Sequence, residues 1–142
     1  VVFRKLNKNN SIDFLTDKRS NKVKEIKQNP SVEICWMFYS SLSQFRFRGK
    51  AEEINDKSLI KDYWNRLSFD SREMWFGPSP GSPLKTSESL AKKNNKKELI
   101  PNNFLLIRAF IHEVEMLALS INPHSRTIWK SKNNWLKEYI NP

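Results

Sequence analysis

The chain has 142 residues, with 25 Lys and Arg against 15 Asp and Glu, for a net charge of +10. That length suits one domain with a real hydrophobic core, and the charge favours an anionic partner: a nucleic acid, an acidic membrane face or a phosphate-bearing small molecule. A lone cysteine, Cys35, excludes a disulfide framework and a zinc spacing, and no apolar run approaches the ~20 residues that a bilayer span needs.

Val1 to Leu6 and Ile12 to Thr16 flank the turn-rich "NKNNS" and are predicted to form a hairpin. The chain opens as if in the middle of a strand, with no signal peptide, so a short segment is expected before Val1. Ser20 to Gln28 has a helical pattern, with Val23 and Ile26 on one face and a stop at Asn29-Pro30. Ser31 to Tyr39 is apolar at successive positions and reads as a strand packed on both sides. Ser43 to Ile54 alternates, with Phe45 and Phe47 on one face and Gln44, Arg46 and Arg48 on the other.

Asp56 is placed to cap a helix that carries Leu59, Ile60, Tyr63, Trp64 and Leu67 at helical spacing. Gly77 to Asn103 is rich in Pro and Gly and reads as a long loop, with a short helix expected around Ser87 to Lys93. Phe104 to Leu119 returns to a long strand, followed by shorter ones around Arg126 to Lys130 and Trp135 to Tyr139. Six or seven strands with two helices give a small barrel of the α+β kind. His112 alternates with Phe110 and Val114 and is expected to be packed, as are Met37 and the five tryptophans.

The segment "FLTDKRSNK" is the chemically suggestive one. A helix start leaves N–H groups unpaired and carries partial positive charge. Thr16 and Ser20 add hydroxyls there, and Lys18, Arg19 and Lys22 add charge. These are the ingredients of a phosphate site. The plain alternative is that Ser20 caps the helix and the cations are solvated. No Ser-His-Asp arrangement and no metal-ligand spacing occurs, and no catalytic residue is assigned.

The order of these parts, with "TDKRSNK", "QFRFRG", "PSPGSP" and "EVEMLALSINPHSR", resembles the pyridoxamine 5'-phosphate oxidase-related family, in its divergent FMN-binding branch. The resemblance implies one domain over residues 1–142: a mainly antiparallel α+β split barrel of six to seven strands with two or three helices, binding FMN. By the same resemblance Arg4, Leu15, Thr16, Arg19, Ser20, Asn21, Lys22, Gln44 and Arg126 take cofactor roles. Asn21 stands where the family has an Arg, so Arg19 is expected to supply that charge. Tyr63 and Ser71 match substrate-binding positions, and Arg66 stands one place from the family's Arg, which is Leu67 here. His124 at best represents the Arg and His pair that holds the substrate's ring, and the late Trp is Leu117, so the vitamer site is not kept. The resemblance implies a cytoplasmic homodimer with flavin at its interface, an oxidoreductase acting on an unnamed small molecule, with no membrane partner. Two alternatives stand beside it: a basic β-barrel for single-stranded nucleic acid, ranked below the flavin reading, and a flavin-fold scaffold without activity.

Overall fold

The computed structural model describes residues 1–83 and 99–142. Its strands are β1 (Val2–Asn7), β2 (Ser11–Asp17), β3 (Ser31–Phe38), β4 (Ser43–Ile54), β5 (Phe104–Ala118), β6 (Ser125–Lys130) and β7 (Lys137–Ile140). The helices are α1 (Asn21–Gln28), α2 (Lys57–Asn65) and α3 (Phe69–Glu73). The strands form one seven-stranded sheet in the order β1-β2-β5-β4-β3, with β6 pairing β5 and β7 pairing β6. The β3/β4, β5/β6 and β6/β7 pairs are antiparallel. The expected helix around Ser87 to Lys93 lies outside the described residues.

Two compact units emerge, one of Val1–Lys5, Asp13–Asn29 and Glu52–Arg108, the other of Leu6–Ile12, Pro30–Ala51 and Ala109–Pro142. The first unit has a core of Leu15, Tyr63, Trp64, Leu67, Trp75, Phe104 and Leu106. Phe104 stands edge-on to Trp64 and Trp75, with ring centroids 5.0 and 4.8 Å away, the geometry that aromatic quadrupoles favour. Asp56 caps α2 as the sequence predicts, accepting from Ser58 N and Leu59 N at 2.9 and 3.0 Å. The helix ends at Asn65, before Leu67. Ser68 then caps α3, a separate short helix, by accepting from Ser71 N.

In the second unit Asn10 takes the left-handed conformation (φ 55°) at the β1/β2 turn, which Asn tolerates better than most residues. Strand β3 is not packed on both sides. Ser31, Glu33 and Cys35 are exposed and Val32, Ile34 and Trp36 half-buried, because β3 ends the strand order and has β4 as its neighbour. Trp36, Phe38, Phe45 and Phe47 form an aromatic ladder with successive centroid separations of 5.8, 5.4 and 6.1 Å. His112 is exposed rather than packed, on the strand face opposite the buried Ile111. The strand's period of two puts it there. Of the tryptophans, Trp64 and Trp75 are buried, whereas Trp36, Trp129 and Trp135 are half-buried, as is Met37.

Candidate functional site

Within the first unit a cavity of about 200 Å³ opens among the start of α1, strands β1 and β2, and the Pro-rich loop. Strand β1 contributes Val1, Val2 and Arg4, and β2 contributes Leu15, Thr16 and Asp17. Ser20 and Lys22 come from the helix start, and Met74, Trp75, Pro78 and Pro80 from the segment after α3. Five residues singled out from the sequence, Arg4, Leu15, Thr16, Ser20 and Lys22, are thus brought together.

Ser20 occupies the N-cap position of α1 but its side chain makes no capping bond. It is 3% exposed, and its Oγ has no hydrogen-bond partner among the described residues. The same holds for Arg4 Nε and Trp75 Nε1, so three unpartnered buried polar atoms belong to residues lining one cavity. Buried polar groups are ordinarily satisfied, and leaving one unpaired costs about 1–3 kcal/mol. No acidic side chain occupies the first turn of α1, so the helix's own positive end is uncompensated. This donor set fits an anion carrying several acceptor oxygens, as a phosphate does.

Arg19 has a different position. Its guanidinium meets Asp17 through Nε to Oδ1 at 3.0 Å and Nη2 to Oδ2 at 2.7 Å, and Nη2 also donates to Gly77 O and Pro78 O at 3.2 and 3.4 Å. Its fork is therefore engaged in holding the Pro-rich loop to the end of β2. Asn103 completes the bracket by donating from Nδ2 to Asp17 Oδ2 and to Trp75 O, both at 2.9 Å. Sequence reasoning missed Asp17, Trp75 and Asn103. Asp17 stood in the quoted "TDKRSNK" without a role, and nothing local pairs it with Asn103, 86 positions away.

Burial would raise the Asp17 pKa, but the Arg19 side chain and backbone and the Asn103 amide outweigh it and hold the carboxyl below its ordinary value of 3.8. A depressed folded-state pKa contributes stability that is complete above the unfolded value and is lost as the pH falls below it. The urea midpoint of the wild type is expected to drop between pH 5 and pH 3, and to drop less steeply in Asp17→Asn. Parallel curves for the two proteins would show that the Asp17 bracket carries no such linkage.

Asn21 is exposed and lines neither this cavity nor the next. Tyr63 and Arg66 line a second cavity of the first unit, about 410 Å³, together with Arg4, Lys5 and Leu67. Arg66 also pairs with Asp62 at 2.9 Å. Ser71 lies in α3, its N–H and Oγ both bonded to Ser68, and lines neither cavity.

Gln44, His124 and Arg126 belong to the second unit. Gln44 Oε1 accepts from Arg46 Nε at 3.2 Å, and the exposed His124 places Nδ1 3.0 Å from Ile121 O. Arg126 donates to the buried Glu115 at 2.8 Å. That bond, outweighing burial, lowers the Glu115 pKa, with the charges of Arg126, Arg48 and Arg46 adding to it. Arg48 bonds Glu33 at 2.6 Å and also Glu113. Among the described residues no group of three or more His, Cys, Asp or Glu is placed to hold a metal ion, and no helix is long and apolar enough to cross a membrane.

Comparison with known proteins matches residues 1–55 to the family described as "Pyridoxamine 5'-phosphate oxidase, FMN-binding domain". The pyridoxine/pyridoxamine 5'-phosphate oxidase 2 of Arabidopsis thaliana is 31% identical over 156 aligned residues, covering 100% of this chain and 78% of that protein. A pyridoxamine 5'-phosphate oxidase-related, FMN-binding protein of Nostoc punctiforme superposes with a TM-score of 0.86 at 30% identity, over 99% of this chain and 78% of its own. PhzG of Burkholderia lata, solved with tetrahydrophenazine-1-carboxylic acid, has a TM-score of 0.84 at 20% identity, over 99% of this chain and 72% of its own, a likeness of fold alone.

Proposed function

The chain belongs to the pyridoxamine 5'-phosphate oxidase-related, FMN-binding family, and on that premise we propose that it is an FMN-dependent oxidoreductase that holds the cofactor's phosphate in the cavity at the start of α1. The observation that carries this reading is the set of unpartnered buried donors, Arg4 Nε, Ser20 Oγ and Trp75 Nε1, on residues lining one cavity. FMN, when bound, supplies hydride and electron transfer at its ring, so no nucleophile or metal is required of the protein.

The chain's own residues bind and orient. Ser20 and the first N–H groups of α1 meet the phosphate oxygens, and Lys22 supplies the charge that the family's Arg would have given at Asn21. Thr16 adds a hydroxyl, and Leu15, Val2 and Met74 form an apolar wall that excludes water. Arg19 serves indirectly, holding the Pro-rich loop against β2 through Asp17. For Gln44 and Arg126 a flavin role stands on the family resemblance alone. Leu67 and Leu117 argue against the vitamin B6 phosphates as substrates, since a phosphate-binding Arg and an aromatic wall are absent at those positions. One domain spanning the chain, a homodimer with flavin at its interface and a cytoplasmic setting complete the proposal.

Phosphate recognition is the sharpest test. A hydrogen bond to a charged group is worth about 1.5–3 kcal/mol. Loss of two such bonds should weaken binding about 100-fold or more. Riboflavin, which lacks the phosphate, is expected to bind at least that much more weakly than FMN when both are titrated by flavin fluorescence. Lys22→Ala should bring FMN about 10-fold toward riboflavin. Equal affinities for the two flavins, or failure of FMN to bind, would remove the cavity's assigned role.

A further inference from the structure

Asp13 lies in β2 with no exposed surface. A carboxylate buried to that degree needs a charged partner and filled lone pairs. Arg108 of β5 provides the first, with Nε 2.6 Å from Oδ1 and Nη2 2.8 Å from Oδ2. Tyr63 of α2 donates its hydroxyl to Oδ2 at 2.7 Å. A phenol has one proton to give, and an ionised carboxylate held by a guanidinium can only accept. Any further hydrogen bond at the Tyr63 oxygen must therefore be one that it accepts.

That matters because Tyr63 lines the second cavity. Its other lining residues are Arg4, Lys5 and Arg66, whose side chains can only donate, and Leu67, whose side chain does neither. The cations suit an anionic group. A phenol oxygen that meets the same ligand does so as an acceptor, which repels a fully ionised oxyanion and welcomes a hydroxyl or an amine.

We propose that Asp13 is a positioning residue that fixes Tyr63 as a hydrogen-bond acceptor. The cavity then selects a substrate with a hydroxyl or amine donor next to an anionic group, over one that presents an ionised phosphate to Tyr63. The proposal rests on the reading of the chain as a flavoprotein whose substrate enters this second cavity. Burial and the Asp13 bond both push the Tyr63 pKa well above that of an ordinary tyrosine, so the phenol keeps its proton through the neutral range.

The test titrates FMN-saturated protein with phenyl phosphate at pH 8 by calorimetry, so that the probe does not enter the first cavity. Tyr63→Phe is expected to bind the probe as tightly as wild type or more tightly, because no donor is lost. Asp13→Val combined with Arg108→Met, which removes the acceptor and its guanidinium together and frees the phenol proton to turn outward, is expected to bind it about 10-fold more tightly. Adding Tyr63→Phe should abolish that gain. A fivefold weakening in folded Tyr63→Phe would overturn the proposal, as would absence of binding to all of these proteins. Tyrosinate absorbance on flavin-free protein gives an independent reading that needs no Phe variant: one tyrosine should titrate above the others in wild type and move down in Asp13→Val combined with Arg108→Met. Three tyrosines titrating alike in wild type would also overturn it. Flavin absorbance scores FMN uptake separately, so failure of the cofactor reading is distinguishable from failure of the role given to Asp13.

Discussion

A Gly49→Ala variant is expected to lose on the order of 3 kcal/mol of stability or more, at the upper end of overpacking effects, and Gly49→Val is expected not to accumulate as folded protein. Gly49 is buried in β4, and a Cβ added there would lie 2.2 Å from Phe110 O, 2.9 Å from Phe110 C and 3.1 Å from Ile111 Cα. All three contacts are backbone. A flexible side chain could swing aside, but the β5 backbone cannot shift locally without disturbing its ladder, and Ile111 N is also held by Asn10 O at 3.0 Å. The constraint at this glycine is one of space, not of a left-handed φ. With total stabilities of about 5–15 kcal/mol for domains in general, the alanine loss removes a large share of the reserve. The check is urea denaturation of Gly49→Ala beside wild type. A difference under about 1 kcal/mol would mean that the strand approaches less closely than described.

Arg108→Ala is expected to cost about 3–5 kcal/mol, the usual penalty for leaving a buried charge uncompensated. Asp13 would keep the Tyr63 hydroxyl but lose both guanidinium bonds. The converse experiment separates the worth of the pair from the penalty for breaking it. Replacing Asp13, Tyr63 and Arg108 together by Val, Phe and Met removes charge and donor at once, and similar apolar replacements elsewhere have been neutral or stabilising. Most of the lost stability is therefore expected to return in the triple variant, measured by the same urea midpoints. If the single variant loses less than 1 kcal/mol, water reaches Asp13. Recovered stability without Asp13 would indicate that the polar triad is retained for what it does to Tyr63, since the fold manages without it.

The two units place their arginines differently, and this bears on how an anion could be held. In the first unit Lys22 and Arg4 Nε are left without partners among the described residues, on the cavity lining. In the second, Arg48 meets Glu33 and Glu113 and Arg126 meets Glu115 through Nη2, although Arg126 Nε, like Arg4 Nε, has no hydrogen-bond partner among the described residues. An anion arriving at Arg126 must compete with a buried carboxylate, whereas one arriving at the start of α1 meets donors with nothing else to bond. The net charge of +10 is thus a poor guide by itself; where the positive charge is unmatched decides more.

The sequence alone carried the element order, because turn residues and periodicity are local signals. The β1/β2 hairpin, the Asn29 stop of α1, the Asp56 cap and the alternation of β4 all appear where those signals put them. It also brought out Thr16, Ser20 and Lys22, since a helix start with hydroxyls and cations is readable in a few adjacent residues. Tertiary structure decided the rest, because it depends on pairs far apart in the chain. Apolar composition could not tell that β3 ends the strand order with alternate residues exposed, nor that His112 faces outward, as both follow from which strands become neighbours. The charge pattern around Arg19 reads as part of a phosphate site in the sequence, and only the fold shows its fork also meeting Asp17 and two loop carbonyls. Asp13 read as an ordinary strand residue. Only the arrival of Arg108 and Tyr63, 95 and 50 positions away, makes it a buried carboxylate that governs what the Tyr63 oxygen can bind.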